Sequence, residues 1–146
     1  MTTMYDMFAT DTAQERHGIW IDYGQFRVLL ARAGGQNTQY LKTLEAKTKP
    51  YRRAIATETM DNKLAEKILR DVYVSTVILS WESKGDVEDE EWTKGLHDAD
   101  GEIVPFNADN VTAALDALPD LFADLQLQAS TASLYRQSEL EDASKN

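Results

Sequence analysis

The longest periodic pattern of apolar residues in the chain lies between Asp61 and Trp81. Its members recur every three or four positions, the spacing that places side chains on one face of an α-helix. The main members are Leu64, Ile68, Val72 and Leu79. Asp61 is a favourable N-cap residue and stands directly before the pattern. The pattern therefore predicts a core-facing helix over residues 61–81.

Capping residues and a proline predict three further helices. Asn37 and Asn107 are suitable N-cap residues in front of apolar positions at helical spacing. Pro119 suits the first turn of a helix, because proline lacks the backbone N–H that is unpaired there anyway. The three predicted helices lie near residues 37–48, 108–118 and 120–136.

A minor β-hairpin is predicted near residues 19–32, where two β-favouring runs flank Gly24. Together these patterns predict a mainly α fold (α+β with a minor β-hairpin), as a small helical domain of about four principal helices. Its predicted core consists of Leu64, Ile68, Val72, Leu115, Leu121 and Leu125.

The domain organisation follows from length and from shifts in composition. The 146 residues suit one domain with one core. Residues 1–17 lack sustained periodicity and are predicted to form an N-terminal arm. Residues 18–136 are predicted to form a single globular helical domain that contains an acidic loop over 82–106. Residues 137–146 are predicted to form a polar C-terminal tail.

Composition excludes several functional classes. The chain has no cysteine, so it has neither disulfides nor a thiolate metal site. Its apolar runs are too short for a membrane span, and its first residues do not resemble a signal peptide. The net charge of −10 disfavours a nucleic-acid partner, because such binding needs clustered lysine and arginine. We expect neither membrane nor nucleic acid as a partner.

The candidate catalytic and metal-binding motifs each have a plainer interpretation. The segment from Asp98 to Gly101 resembles part of a calcium loop, but its surroundings lack the carboxylates that such a loop needs, so a tight turn is predicted. The acidic run over 86–91 is interpreted as a solvated loop. His17 and His97 lack neighbouring ligand partners. We predict no enzyme activity, no catalytic residue, no cofactor and no metal.

A basic segment in this acidic chain is the predicted protein-binding patch. Five basic residues and one acidic residue lie between Lys42 and Arg53. The residues assigned to the patch are Lys47, Lys49, Tyr51, Arg52 and Arg53. A solvated helix end is the alternative interpretation. The acidic stretch over 82–102 suggests that charge is unevenly distributed over the molecule, which would steer oppositely charged partners.

The order of tryptophan, glycine, asparagine and proline landmarks over residues 18–136 resembles that of tail assembly chaperones of long-tailed bacteriophages. In the first half, the landmarks are Gly18 to Gly24, Phe26 to Val28, Ala31 to Gly35 and Asn37. In the second half, they are Val77 to Glu82, Asp98 to Gly101, Val104 to Asn107, Asn110 and Leu118 to Leu121. The segment 84–96 is longer and more acidic than the family's usual connection.

This resemblance implies a chaperone that binds the tape measure protein, keeps it soluble and assists assembly of the tail tube. The tail tube protein is a further expected partner, and self-association is compatible with the resemblance. The expected location is the host bacterial cytoplasm, with the protein absent from the mature virion. A structural neck or tail protein of the virion and a general protein-binding adaptor remain as alternatives.

Overall fold

A four-stranded antiparallel sheet organises the fold. The computed structural model describes residues 1–84 and 91–136 of the chain. The strands of this sheet, in spatial order, are β1 (Ile19–Asp22), β2 (Phe26–Leu30), β3 (Ile78–Ser83) and β4 (Thr93–Lys94). A separate antiparallel hairpin consists of β5 (Leu96–His97) and β6 (Ile103–Val104).

Helices precede, interrupt and follow the strands along the chain. They are α1 (Met4–Phe8), α2 (Thr12–His17), α3 (Thr38–Thr48), α4 (Arg52–Ala56), α5 (Asn62–Thr76), α6 (Ala108–Ala117) and α7 (Pro119–Ser130). Two short 3-10 helices lie at Lys49–Tyr51 and Ala132–Tyr135. Helix α5 packs against α3, α6 and β3, so it occupies the centre of the helical layer.

The prediction of a mainly α fold with four principal helices was wrong. The described residues are 55% helical and 18% in strands, which is an α+β fold. The largest error concerns residues 61–81, where α5 ends at Thr76 and β3 begins at Ile78. Val77 and Ile78 are β-branched and favour an extended backbone. As β3, this segment pairs with β2 and opposes Trp81 to Val28.

Asn37 contributes to the end of α5 rather than to the start of α3. It precedes α3 as predicted, but its side chain makes no capping hydrogen bond there. Its Nδ2 group instead donates to the carbonyl oxygens of Arg32 at 2.8 Å and Thr76 at 3.1 Å, and the residue is buried. The amide therefore satisfies a carbonyl at the C-terminal end of α5, where helices leave acceptors unpaired.

The core lies between the sheet and helices α5 to α7. Its central cluster contains Val28, Leu30, Tyr73, Val77, Ile78, Trp81, Val111, Leu115, Leu125 and Ala129. The predicted burial of Leu115 and Leu125 is confirmed, and Leu121 packs against the cluster while partly buried. Ile68 and Val72 are also buried, but Leu64 is only half-buried.

Truncating Ile68 to alanine is expected to lower the free energy of unfolding by about 2–5 kcal/mol, as large-to-small changes in cores do. Ile68 is 8% exposed on α5. Urea denaturation measures the change, and Lys63→Ala on the exposed side of the same helix is the control. Equal, small losses for the two variants would contradict the burial of Ile68.

Glu15 fastens the N-terminal helices to the rest of the fold. Its side chain is fully buried, although it belongs to the predicted N-terminal arm. One carboxylate oxygen pairs with Arg32 at 2.9 Å and accepts from the backbone N–H of Gln36 at 3.0 Å, while the other accepts from the Thr10 hydroxyl. A Cβ at Gly35 would lie 1.8 Å from this carboxylate, so the site requires glycine there.

The C-terminal part of the described chain closes over the first hairpin. Thr10 and Arg136 form an isolated antiparallel bridge. The buried hydroxyl of Tyr135 donates to the carbonyl oxygen of Leu30 at 3.0 Å. Residues 137–146 lie outside the described residues, so the predicted polar tail stays a prediction, as does the division of the chain into arm, domain and tail.

Candidate partner-binding groove

An open groove of about 920 Å³ lies between the hairpin β5–β6, the ends of β2 and β3, and helices α6 and α7. Most of the side chains that line it are apolar. Its main apolar contributors are Phe26, Leu96, Val104, Ala114, Leu118 and Leu121. The volume lies within the roughly 300–1,000 Å³ range that is usual for ligand sites.

Helix α6 forms a smooth wall of the groove because its groove-facing residues are small. Ala113, Ala114 and Ala117 lie on one side of the helix. The helix begins as predicted, with the Asn107 side chain accepting from the backbone N–H of Asn110 at 2.8 Å. Small side chains allow another helix to approach closely.

Leu118 projects at the joint between α6 and α7. It was predicted to belong to the helix near residues 108–118, but it lies just outside α6, is 54% exposed and lines the groove. Pro119 occupies the first turn of α7 as predicted, so the chain leaves the α6 axis at Leu118. Because its backbone is helical in neither element, Leu118 does not follow the buried stripe of α6. An exposed leucine is thus held at one end of the groove.

Trp81 holds the hairpin wall in place. Its indole Nε1 donates to the carbonyl oxygen of Val104 at 3.1 Å, and its ring meets Phe106 edge-on at 5.5 Å. The tip of the hairpin is the predicted tight turn, in which the Asp98 carboxylate accepts from the backbone N–H groups of Asp100 and Glu102, both at 2.9 Å. The wall is therefore tied to the core at its base and ordered at its tip.

Phe26 is supported by a contact that joins the first hairpin to α7. The ring of Tyr23 stacks on Phe26 at 4.9 Å, and the Tyr23 hydroxyl donates to Asp124. Burial raises the pKa of Tyr23, and the nearby Asp124 carboxylate raises it further. The hydroxyl therefore stays protonated at neutral pH and keeps its bond to α7.

Ser83 and His97 lie together in the groove, but their geometry is structural. The hydroxyl of Ser83 donates to the carbonyl oxygen of Gly95 at 2.8 Å, and its oxygen lies 3.3 Å from His97 Nδ1. Because the hydroxyl proton is directed at a carbonyl, the pair does not have the nucleophile–base arrangement of a hydrolase. Among the described residues, no group of three or more His, Asp or Glu side chains is placed to hold a metal ion.

A cation–aromatic stack covers the opposite face of the sheet. The Arg27 guanidinium lies 4.0 Å from the ring centre of Trp20 and 4.5 Å from that of Trp92. Arg27 Nε also donates to Glu82 at 2.8 Å, and Lys84 lies 4.5 Å from the Trp92 ring. Since neighbouring strand residues alternate between faces, this stack points away from the Val28 and Trp81 side that carries the core.

The predicted protein-binding patch lies apart from the groove. Its members occupy three consecutive elements: Lys47 in α3, Lys49 and Tyr51 in the first 3-10 helix, and Arg52 and Arg53 in α4. The four basic side chains are exposed, Tyr51 is half-buried, and none of the five lines the groove. Arg52 is paired with Glu45 at 3.7 Å. A binding role for this patch stays a prediction.

Sequence reasoning missed the groove itself. The available signal was the series Ala113, Ala114 and Ala117 on α6, followed by a leucine before Pro119. The acidic run predicted over 86–91 lies, apart from Glu91, outside the described residues.

Comparison with protein families identifies the origin of the chain. Residues 35–146 match the family described as YdaY prophage protein. The chain belongs to this family. The phage origin expected from the sequence resemblance is therefore confirmed, whereas the family description does not specify a tail assembly chaperone. No curated protein and no solved structure matches the chain.

The YdaY family match includes most of the groove. It covers α3 to α7 and β3 to β6, while Phe26 on β2 precedes the matched segment. Within the two described ranges, no helix is long and apolar enough to cross a membrane.

Proposed function

We propose that this prophage protein is a phage tail assembly chaperone that binds and solubilises the tape measure protein and assists tail tube assembly. The tail tube protein is a further proposed partner. The proposal places the protein in the host bacterial cytoplasm during assembly, outside the mature virion. Its work requires binding and release of a protein segment, and we propose that it involves no catalysis.

The observation that carries this proposal is the open apolar groove. A soluble protein that exposes a concave apolar surface can shield an apolar segment of another chain from water. Leu118, Phe26 and Leu121 offer large apolar contacts, and Ala113 and Ala117 leave room for a partner backbone. These features fit the binding mode in which an amphipathic helix lays its apolar face in a groove. The membership of a prophage family and the sequence resemblance support the choice of a phage partner.

Co-expression with the tape measure protein of the same prophage tests the proposal. We expect the wild-type chain to raise the soluble yield of the tape measure protein. Ala117→Trp should return the yield to the level measured without the chain, because the indole would occupy the groove while Ala117 is exposed and outside the core. Gel electrophoresis of the soluble and insoluble fractions of the lysates measures the yield.

Two control variants separate the groove from other surfaces. Ala46→Trp makes the same change at an exposed position on α3 and should leave the yield at the wild-type level. The double variant Arg52→Glu and Arg53→Glu tests the basic patch independently of the groove. Failure of the wild-type chain to raise the yield, with the chain found stoichiometrically in purified particles, would replace the chaperone proposal with a structural role in the virion.

A further inference from the structure

The elements that form the groove are rich in acidic residues. Residues 91–124, which include the hairpin β5–β6, α6 and the first half of α7, contain eight acidic residues and one lysine. The acidic residues are Glu91, Asp98, Asp100, Glu102, Asp109, Asp116, Asp120 and Asp124. This excess is local, because the basic segment around Arg52 lies on α3 and α4, which do not line the groove.

Some of these carboxylates already have a role inside the fold. Asp116 pairs with Arg70 of α5 at 2.8 Å, and Asp124 accepts a hydrogen bond from Tyr23. Asp98 accepts from the backbone of its own turn. These interactions stabilise the elements that form the groove, and they partly compensate the charge of the three carboxylates.

Four other carboxylates are exposed at the margin of the groove and form no ion pair within residues 1–84 and 91–136. Each is a sequence neighbour of a residue that lines the groove, namely Gly101, Asn110 or Leu121. The four are Asp100, Glu102, Asp109 and Asp120. Lys84 also lines the groove, but its ammonium group lies against the Trp92 ring. The margin is therefore acidic around an apolar centre.

We propose that the groove selects an amphipathic helix whose apolar stripe is flanked by lysine and arginine. The apolar stripe would lie on the alanine wall of α6 and on Leu118, while the flanking cations would reach the four marginal carboxylates. An acidic helix with the same apolar stripe would place like charges together, which disfavours the wrong partner and slows its approach. This inference rests on the proposed function, since it specifies the chemistry of the segment that the groove holds.

A matched pair of labelled helical peptides tests the inference. Both peptides have about 18 residues, roughly five turns, with leucine at the same stripe positions. One carries lysine and arginine beside the stripe, and the other carries glutamate and aspartate. Fluorescence anisotropy with the full chain should show about tenfold or more tighter binding of the basic peptide at about 0.1 M salt. At about 1 M salt, where the screening length falls to about 3 Å, the difference should largely disappear.

A pair of charge-matched variants locates the effect. Asp100→Asn with Glu102→Gln should weaken binding of the basic peptide by at least about threefold. Asp61→Asn with Glu66→Gln removes the same charges at two exposed positions that do not line the groove, the residue before α5 and one within it, and should leave the affinity unchanged. Circular dichroism confirms that both variants are folded.

The outcomes separate the charge inference from the proposed function. Equal, salt-independent binding of the two peptides, or tighter binding of the acidic peptide, would overturn the inference while leaving the groove as a helix-binding site. Binding of neither peptide would overturn it as well. Absence of any effect of the chain on the soluble yield of the tape measure protein would overturn the proposed function, whatever the preference between peptides.

Discussion

Replacing Glu15 with alanine is expected to lower the free energy of unfolding by about 3–5 kcal/mol, the usual cost of removing one partner from a buried ion pair. The carboxylate is fully buried and receives hydrogen bonds from Thr10, Arg32 and the backbone of Gln36. Its loss leaves these donors without their acceptor. Glu66→Ala, at an exposed position on α5, is the control. Urea titrations of both variants measure the difference.

The difference in stability between wild type and Glu15→Ala is expected to depend on pH. Burial alone would raise the pKa of Glu15, but the hydrogen bonds from Thr10 and Gln36 and the charge of Arg32 lower it below its ordinary value of 4.5. A carboxyl whose pKa is lower in the folded state stabilises the fold above its unfolded pKa and loses that contribution as pH falls. The stability gap between wild type and Glu15→Ala should therefore narrow below about pH 4.5. A gap that widens in acid would contradict this assignment.

Replacing Trp81 with alanine is expected to lower the free energy of unfolding by about 3–5 kcal/mol, as the truncation of a core aromatic residue does. Trp81 is 3% exposed, touches the central cluster and bonds to Val104. Thermal or urea unfolding measures the cost. Trp92→Ala should cost less, because Trp92 is only half-buried on the other face of the sheet. Similar losses of stability for the two variants would contradict the assignment of Trp81 to the buried core.

A milder change at the same position separates packing from hydrogen bonding. Trp81→Phe keeps an aromatic ring against Phe106 but removes the donor to the Val104 carbonyl. The lost hydrogen bond is expected to lower the free energy of unfolding by about 0.5–1.5 kcal/mol. The loss of packing adds to this cost but is smaller than in Trp81→Ala. If β5–β6 depends on this bond, the variant should also bind the basic peptide more weakly, because the hairpin forms one wall of the groove.

The correctly predicted elements were those with local signals. Asn107 caps α6 through its own side chain, and Pro119 starts α7, because both effects involve residues within one helical turn. The first hairpin was also predicted, with β1 and β2 on either side of Gly24. In these places, sequence spacing alone determines the interaction.

The errors concern residues whose structure is decided by distant partners. The run from Val72 to Leu79 has both helical spacing and many β-branched residues, and pairing with β2 makes its last two residues the start of a strand. Glu15 lies in a polar stretch, and its burial depends on Arg32 and on the backbone of Gln36. The groove likewise forms only when β5–β6, α6 and α7 meet, so no single pattern predicts it.

The hydrogen bond from Tyr135 to Leu30 has a consequence for the order in which the protein can fold during synthesis. The two residues are separated by 105 positions. The backbone N–H groups of Ala33 and Asp11 likewise donate to distant carbonyl oxygens, those of Ala129 and Tyr135 respectively. At about 5–20 residues per second, a ribosome needs roughly 5–20 seconds to add the missing segment after Leu30. Until the segment that matches the prophage family has been made, the Leu30 carbonyl and the backbone N–H groups of Asp11 and Ala33 remain open to water. Completion of this part of the fold therefore follows the synthesis of Ala129 and Tyr135.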